Sequence, residues 1–436
     1  MPSFDHDYEL RRFAPEIVDG AATPATAGWV AAERLAFHET HHDDPETVAA
    51  EARRMITDDR ELTGVYARET RPGTLGADQP VGTFVSFTKT LNVGGGRLVD
   101  AHLISDVTVR PTHRRRGILR RMMTGDLHRA AERGAAVAAL TATEATIYRR
   151  FGFGPATRQR TISMSKREPL KLLTSSRGTV ELADPTTLGP VAEAVFDAFH
   201  ARTTGSVDRH AGHWSRMLAG VDYGTKPDPN LRAALHFSPE GTPDGYVTYR
   251  SAERGDDVVL TVVDLVTASD DAYLGLWELL ASIDLVTEIT WKAAPIDDVL
   301  VHALADNRHL TVAREQDHVW LRILDPVAAL EARPYAADAT VTLRVHDRLG
   351  LADGTFRLTA SGGDGTVERL VGPDGDPAQG ADVELDVSVL ASCYLGGSDV
   401  VTLAAAGLLH EHAPGAVQRL RTLLTPERSV YGVTSF

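Results

Sequence analysis

Six arginines lie between Arg110 and Arg121, where a strand-like run of residues gives way to a helical pattern. Backbone N–H groups at a helix start attract anions, because they point outward and the helix dipole is positive there. Gly117 would let a phosphate come close to the backbone, and arginine adds charge-assisted hydrogen bonds to phosphate oxygens. The segment has neither the Walker pattern nor the dinucleotide-binding fingerprint. It predicts a pyrophosphate-binding turn, and a solvated, arginine-rich helix start remains the alternative.

The basic segment contrasts with an acidic chain. The 436 residues include 60 acidic and 45 basic side chains, which gives a net charge of −15. Such a protein repels nucleic acid and anionic membrane surfaces, whereas a cationic small molecule is attracted to it. We therefore expect a cationic amine as partner, and neither nucleic acid nor a membrane.

Composition and local patterns narrow the class of protein further. Cys393 is the only cysteine, which excludes an intrachain disulfide framework. The histidines around residues 38–42 and 410–412 lack zinc-site spacing, so we predict no metal. The amino-terminal residues do not resemble a signal peptide, and no apolar run reaches roughly 18 residues. A cytoplasmic location is the resulting expectation.

Three units follow one another along the chain. In the first, periodicity predicts the order α–β–β–β–α–β–α–β. The predicted elements are a helix over Pro45–Asp59, strands over Thr63–Thr70, Val81–Leu91 and Leu98–Arg110, a helix over Arg115–Arg133, a strand over Ala135–Leu140 and a short helix near Ala145–Phe151. The glycines of Asn92–Gly96 lead into a strand, so they predict a hairpin turn and not a nucleotide loop.

The second unit, from about Gly178 to Leu324, weakly repeats the first. Where the first unit has arginines, the second has Asp270 and Asp271 at a predicted helix start, and these carboxylates would repel a pyrophosphate. The third unit begins near Asp325 and alternates short strands with Gly and Asp turns before two closing helices. We predict one phosphate-binding turn per chain.

The motif Val109-x-Pro-x-x-Arg-Arg-Arg-Gly-x-x-Arg resembles the Q/R-x-x-G-x-G/A acetyl-CoA signature of the GNAT acyltransferase superfamily, with Leu119 and Arg120 where a small residue is usual. Together with the segment 138–156 and the late SCYLGGSDVVTLAAAGLL, it resembles the Eis family of actinobacterial aminoglycoside acetyltransferases. The match implies an α+β fold: a GNAT domain at 1–165, a degenerate GNAT-like domain at 166–324 and a sterol-carrier-protein-like α+β domain at 325–436. It also implies a homohexamer.

The resemblance carries the family's acetyl-CoA contacts onto one strand end, one helix start and one following loop. The matching residues are Val107, Thr108, Val109, Arg115, Arg116, Gly117, Ile118, Leu119, Arg120, Thr143 and Glu144. This agrees with the residue-level interpretation, because a strand edge can pair with pantetheine amides and a helix start can hold the pyrophosphate.

The family's general acid corresponds to Tyr148 and its general base to the C-terminal carboxylate of Phe436. A phenol with a reference pKa of ~10 can give a proton to a departing thiolate. The carboxylate is a weak base unless burial raises its pKa or it works through water. Without the resemblance, a core tyrosine and a mobile chain end would be the simpler interpretations.

Carboxylates should bind the amine, and the candidates are Asp106 and Glu39. The Eis family has an aromatic residue at the Asp106 position, so we expect a more acidic pocket here. Glu39 has the alternative of being an ordinary surface charge. The third domain is expected to bring Phe436 to the active site, with lipid binding as a further possibility.

These expectations describe an acetyl-CoA-dependent N-acetyltransferase that acetylates primary amines of aminoglycosides at several positions, a reaction that can confer antibiotic resistance. Two alternatives stay open at this point. One is an N-acetyltransferase of peptide or protein lysine, and the other is a non-catalytic acyl-CoA- or lipid-binding protein. Turnover with different amines separates all three.

Overall fold

A computed structural model describes residues 4–38, 44–220, 226–371 and 380–436. Glu39 and the neighbouring histidine candidates at 41 and 42 lie outside these residues. The described residues form two seven-stranded sheets, one five-stranded sheet and a two-stranded ribbon, with helices packed on them. The predicted α+β class is confirmed. Across the described ranges, no helix is both long and apolar enough to cross a membrane.

The first unit follows the predicted order, preceded by further helices and strands. Its elements are α1 (Phe4–Asp7), β1 (Tyr8–Phe13), β2 (Ile17–Val18), β3 (Ala21–Ala22), α2 (Pro24–Phe37), α3 (Pro45–Thr57), β4 (Glu61–Ala67), β5 (Gly82–Gly94), β6 (Arg97–Val109), α4 (Ile118–Glu132), β7 (Val137–Thr141), α5 (Ala145–Tyr148), β8 (Gly154–Pro155) and β9 (Arg158–Ser165). The Asn92–Gly96 hairpin turn is confirmed, since β5 and β6 pair up to Gly94 and Arg97.

The start of α4 was predicted wrongly. The helix begins at Ile118 and not at Arg115, because Arg115 (φ +64°) and Gly117 (φ +80°) have left-handed backbone conformations that interrupt a right-handed helix. Residues 115–117 therefore form a turn that leads into the helix.

The second unit has the same plan as the first. Its elements are β10 (Thr179–Ala183), α6 (Gly189–Arg202), α7 (Ala211–Ala219), β11 (Arg232–Phe237), β12 (Pro243–Arg254), β13 (Asp257–Thr267), α8 (Asp270–Ser282), β14 (Glu288–Ala294), α9 (Leu300–Ala303), β15 (Leu310–Asp317) and β16 (Val319–Ile323). Each large sheet is antiparallel except for one parallel pair joined by a helix, β6–α4–β7 in the first and β13–α8–β14 in the second. The predicted internal repeat is thus visible in the topology.

The two large sheets exchange strands. The first has the order β1-β4-β5-β6-β7-β16-β8, and the second has the order β10-β11-β12-β13-β14-β9-β15. Strand β16 comes from the end of the second unit and β9 from the end of the first. Each sheet therefore contains one strand from the other side of the predicted boundary between residues 165 and 166. That boundary stays a prediction about the order of the units along the chain.

The third unit is a five-stranded sheet with helices, in the strand order β19-β18-β17-β20-β21. Its elements are α10 (Pro326–Ala332), β17 (Ala339–His346), β18 (Gly354–Ser361), β19 (Asp364–Val371), β20 (Val383–Asp386), α11 (Val387–Tyr394), α12 (Val400–Ala405), β21 (Leu409–Glu411) and α13 (Ala416–Leu424). Helix α11 presses against β8 so closely that a Cβ at Gly154 would lie 1.9 Å from the Ser388 carbonyl oxygen. The buried ion pair between Arg322 and Asp347, 2.5 Å apart, also joins the third unit to the first sheet.

Candidate active site

The pairing between β6 and β7 stops at Ile104, although β6 continues to Val109, and we call the unpaired region beyond this point the β6–β7 opening. The parallel ladder pairs Ala101–Ile104 with Val137–Leu140. Beyond it, β6 stays paired with β5, through Thr83 opposite Thr108. A bulge lies at this point: Asp106 has φ +50°, and its carbonyl accepts a hydrogen bond from Thr83 Oγ1 at 2.9 Å. One edge of the predicted Val107–Val109 segment therefore faces the opening, where it can pair with an extended ligand.

The turn before α4 follows the unpaired end of β6 in the chain. Gly117 is the N-cap of α4 and provides no side-chain capping bond, while Ile118 is buried and anchors the helix start. The predicted Arg115, Arg116 and Arg120 are exposed beside it. A groove of about 840 Å³ runs from Gly117 between β1 and α4, and its charged lining consists of Arg12, Arg68, Arg120 and Arg121 with Asp5 and Glu9. The charge and the backbone geometry fit a pyrophosphate.

Gly117 offers a test of this turn. Gly117 and Gly134 flank α4, both have positive φ, and a Cβ at either would meet no atom within 4 Å. Gly117→Ala and Gly134→Ala should therefore each lower the free energy of unfolding by ~1 kcal/mol. Only Gly117→Ala should also raise the acetyl-CoA Kd, by about tenfold, in isothermal titration calorimetry. Equal affinities in the two variants would exclude the helix start as the phosphate site.

Tyr148 ends the short helix α5, which follows β7. Its side chain is buried, and its ring packs edge-on against Phe153 with 6.2 Å between centroids. Burial, with the nearby Glu144 carboxylate as a smaller cause, raises the pKa of Tyr148 to about 12. Thr143 and Glu144 are exposed in the loop between β7 and α5. The phenol thus keeps its proton at neutral pH.

The end of the chain reaches the end of β7. Phe436 donates a backbone hydrogen bond to Thr141 Oγ1 at 3.2 Å, and Thr141 Oγ1 donates to a main-chain oxygen of Phe436. The Phe436 ring packs edge-on against Phe87, with 6.4 Å between centroids. Tyr148 and Phe436 therefore both lie next to β7, Tyr148 on the helix after Thr141 and Phe436 on Thr141 itself.

Asp106 does not stand alone in its pocket. Its carboxylate lies 3.6 Å from Arg60 Nη1 and accepts a hydrogen bond from Ser105 Oγ at 3.0 Å. Burial raises the pKa of Asp106, and the Arg60 guanidinium opposes that rise. An amine that binds Asp106 would compete with Arg60, a residue that the sequence analysis did not identify.

Three histidines near the chain end were not predicted from the sequence. His210, His213 and His318 all contact Ser435, the residue before Phe436. The spacing of His210 and His213 at the start of α7 was a visible signal, but their partner lies more than 200 residues away in the sequence. Thr141 was missed for the same reason.

The corresponding helix start in the second unit is acidic, as predicted. Ser269 caps α8, and Asp271 accepts backbone hydrogen bonds from Arg177 and Gly178 at 3.1 and 3.2 Å. Asp270 pairs with Arg202 at 2.7 Å. These carboxylates and the 176–178 segment occupy the position that the arginine turn has in the first unit.

His318 provides a pH-dependence test. Burial lowers the pKa of His318 to about 4, while an unfolded histidine has a pKa of ~6.5. As pH falls from 6.5 to 4, the histidine of the unfolded chain binds a proton but that of the folded chain does not. The free energy of unfolding therefore falls. Between pH 7 and pH 5 this should amount to ~2 kcal/mol. Urea titrations at both pH values measure this effect. The free energy of unfolding of His318→Gln should fall by ~2 kcal/mol less than that of the wild type between pH 7 and pH 5. An equal fall in the two proteins would contradict a neutral, buried His318.

Known families match all three units. The acetyltransferase (GNAT) domain matches residues 21–156, a second acetyltransferase (GNAT) domain matches 205–323, and the sterol carrier protein domain matches 326–432. The N-acetyltransferase Eis of Mycobacterium tuberculosis is 34% identical over 363 residues, 80% of this chain and 84% of that protein. The chain belongs to the Eis family of N-acetyltransferases.

Further relatives agree with this membership in the Eis family. An uncharacterized N-acetyltransferase of Streptomyces avermitilis is 36% identical over 421 residues, which cover 92% of this chain and 94% of that protein. The crystal structure of Eis1 from Mycobacterium abscessus has a TM-score of 0.79 and 30% identity, and the match covers 98% of this chain and 100% of that one. This Eis-family protein is an acetyltransferase, and its GNAT fold implies acetyl-CoA as the acetyl donor.

Proposed function

We propose that the protein acetylates primary amines of aminoglycosides, at several positions, with acetyl-CoA as donor. The docking of Phe436 on Thr141, at the end of the strand that precedes Tyr148, is the observation that carries this proposal. Because Phe436 contacts the last residue of β7 and Tyr148 ends the next helix, this contact supports a base and an acid that act on one substrate. A protein that only binds acyl-CoA or lipid has no use for such a pair.

Acetyl-CoA, when bound, supplies an activated acetyl thioester. In the proposal, the free edge of Val107–Val109 pairs with its amide-containing arm, as in strand addition. Backbone N–H groups and side chains around the α4 turn hold the phosphates, and Thr143 and Glu144 line the loop across the opening. The residues proposed for the phosphates are Arg115, Arg116, Gly117, Ile118, Leu119 and Arg120.

The proposed base acts before the amine attacks the thioester, and the proposed acid acts when the CoA thiolate departs. The Phe436 carboxylate takes a proton from the ammonium group of the substrate, directly or through a water, which frees the amine to attack. Tyr148 Oη holds the proton that the departing thiolate needs. Because the pKa of Tyr148 is raised to about 12, its proton is present throughout the physiological pH range.

Asp106 is the proposed amine-binding carboxylate within the described residues, and Glu39 remains a second candidate. The polycationic nature of aminoglycosides suits a chain of net charge −15. We further propose one active site per chain, a degenerate second GNAT domain, a homohexamer and a cytoplasmic location. Light scattering should then give roughly six times 47.1 kDa.

The function is tested by incubating untagged protein with acetyl-CoA and a panel of aminoglycosides, polyamines and lysine peptides, with CoA thiol release and product mass as readouts. More than one acetyl group on a single aminoglycoside is the expected result. Release of CoA with peptides alone would favour lysine acetylation. Acetyl-CoA binding without turnover would contradict both activities.

A further inference from the structure

The final residues of the chain follow a fixed route across the second unit. The Tyr431 N–H donates to the Thr204 carbonyl at 2.9 Å, and Gln159 Nε2 donates to the Gly432 carbonyl at 2.7 Å. Thr434 is 1% exposed. The route ends at Ser435, next to the proposed base.

Ser435 is held by histidines from two different segments. Its carbonyl oxygen lies 3.0 Å from His210 Nε2 and 3.3 Å from His213 Nδ1, and its hydroxyl lies 3.1 Å from His318 Nε2. A carbonyl can only accept, so both His210 and His213 must donate to it. Two converging N–H donors define the position of this peptide group more closely than one would.

The partners of His210 fix its tautomer. Arg60 Nη2 donates to His210 Nδ1 at 2.9 Å, and the His213 backbone N–H donates to the same atom at 3.2 Å. Nδ1 is therefore the acceptor, and the single ring proton sits on Nε2, directed at Ser435. His210 is also the N-cap of α7.

The surroundings keep both histidines neutral. Burial lowers the pKa of His210 and of His213 well below the usual range, and nearby cations lower it further. The cations that face them are Arg60, Lys89, Arg209 and Arg216, and Asp58 lies 3.2 Å from Lys89. Arg60 also stacks on Phe87 at 4.4 Å, and Phe87 in turn contacts the Phe436 ring.

We propose that His210 and His213 are positioning residues, which hold the Ser435 carbonyl and thereby fix the Phe436 carboxyl group beside Thr141. This inference rests on the proposed function, in which that carboxylate is the base. Neither histidine is required to touch the substrate. A displacement of about 1 Å at a reacting group can cost on the order of 10² in rate.

Two substitutions at His210 separate its roles. In His210→Asn, the shorter side chain can still cap α7 and accept from Arg60, but it cannot reach Ser435. In His210→Gln, the amide reaches the Nε2 position and can donate to Ser435, but the cap is weakened. If His210 has only a structural role, His210→Gln should lower kcat more than His210→Asn. If His210 positions Ser435, His210→Asn should lower kcat more.

The experiment measures kcat, acetyl-CoA Kd, urea stability and the rate at which a carboxypeptidase releases Phe436. We expect His210→Asn to lower kcat by roughly 10–100-fold and to speed Phe436 release at least about tenfold, with Kd unchanged. His210→Gln should stay within about threefold of the wild type in both, despite lower stability. His213→Leu, which removes the second donor to the Ser435 carbonyl, should change both quantities in the same direction as His210→Asn, and wild-type values in this variant would exclude His213 from the positioning role.

The outcomes separate this proposal from the catalytic one. Unchanged Phe436 release in a folded His210→Asn protein would overturn the positioning role, as would equal losses in the Asn and Gln variants. Faster release with normal kcat would show that His210 holds the tail but that the carboxylate is not the base, and this result would overturn the proposed mechanism alone.

Discussion

Replacing Tyr148 with phenylalanine is expected to lower kcat by roughly 10²–10⁴-fold while acetyl-CoA affinity and stability stay close to the wild type. The substitution removes only the hydroxyl group, and phenylalanine preserves the edge-on contact with Phe153. Because the pKa of Tyr148 is raised to about 12, its ionisation should produce no alkaline loss of activity below about pH 11. Steady-state kinetics across pH, with calorimetric binding of acetyl-CoA, measure the effect.

Tyr394→Phe is a matched control for this substitution. Tyr394 is also buried, and its hydroxyl donates to the Ala329 carbonyl at 2.7 Å inside the third unit. Its loss should cost ~1 kcal/mol in the free energy of unfolding and leave kcat unchanged. If Tyr148→Phe lost less than about threefold in kcat, Tyr148 would be a packing residue and another proton donor would be needed.

A short peptide fused after Phe436 should reduce turnover by a similar 10²–10⁴-fold. The fusion converts the terminal carboxylate into a neutral peptide carbonyl, so the proposed base disappears while the phenyl ring stays. Acetyl-CoA affinity should not change, because the α4 turn is untouched. Kinetics of the fused protein, with the same peptide at the amino terminus as control, measure the loss.

Removing the fused peptide with a protease allows the same sample to be measured with a blocked and with a free Phe436 carboxylate. If the fused peptide carries a protease site that leaves Phe436 as the last residue, activity should return in proportion to cleavage followed by mass spectrometry. Full activity before cleavage would exclude the carboxylate as the base. Loss of activity that cleavage does not reverse would indicate misfolding and not the absence of a base.

Local sequence patterns could predict the parts of the site that one segment builds alone. The α4 turn follows from the arginines around Gly117, and the helix that presents Tyr148 follows β7 directly. The exact start of α4 could not be predicted, because it depends on a left-handed backbone at Arg115, a residue type that seldom adopts it.

Contacts between distant segments left no comparable signal. Ser435 contacts His210 at a sequence separation of 225 residues and His318 at a separation of 117, and no periodicity in either segment points to the other. The strand pattern of β16 was predicted, but its partners β7 and β8 were not, since alternation specifies which face is buried and says nothing about the sheet. Arg60 was missed because its partners Asp106 and His210 come from different segments.

The exchange of β9 and β16 has a consequence for synthesis on the ribosome. In the first sheet, β16 lies between β7 and β8 and pairs with both. This sheet therefore stays incomplete until residue 323 has left the exit tunnel. Strand β9 waits almost as long, because its partners β14 and β15 end only at Ala294 and Asp317. Such long-range pairing slows folding and leaves strand edges exposed for longer. A truncated chain that stops at residue 165 should therefore aggregate and fail to form a separate acetyltransferase domain.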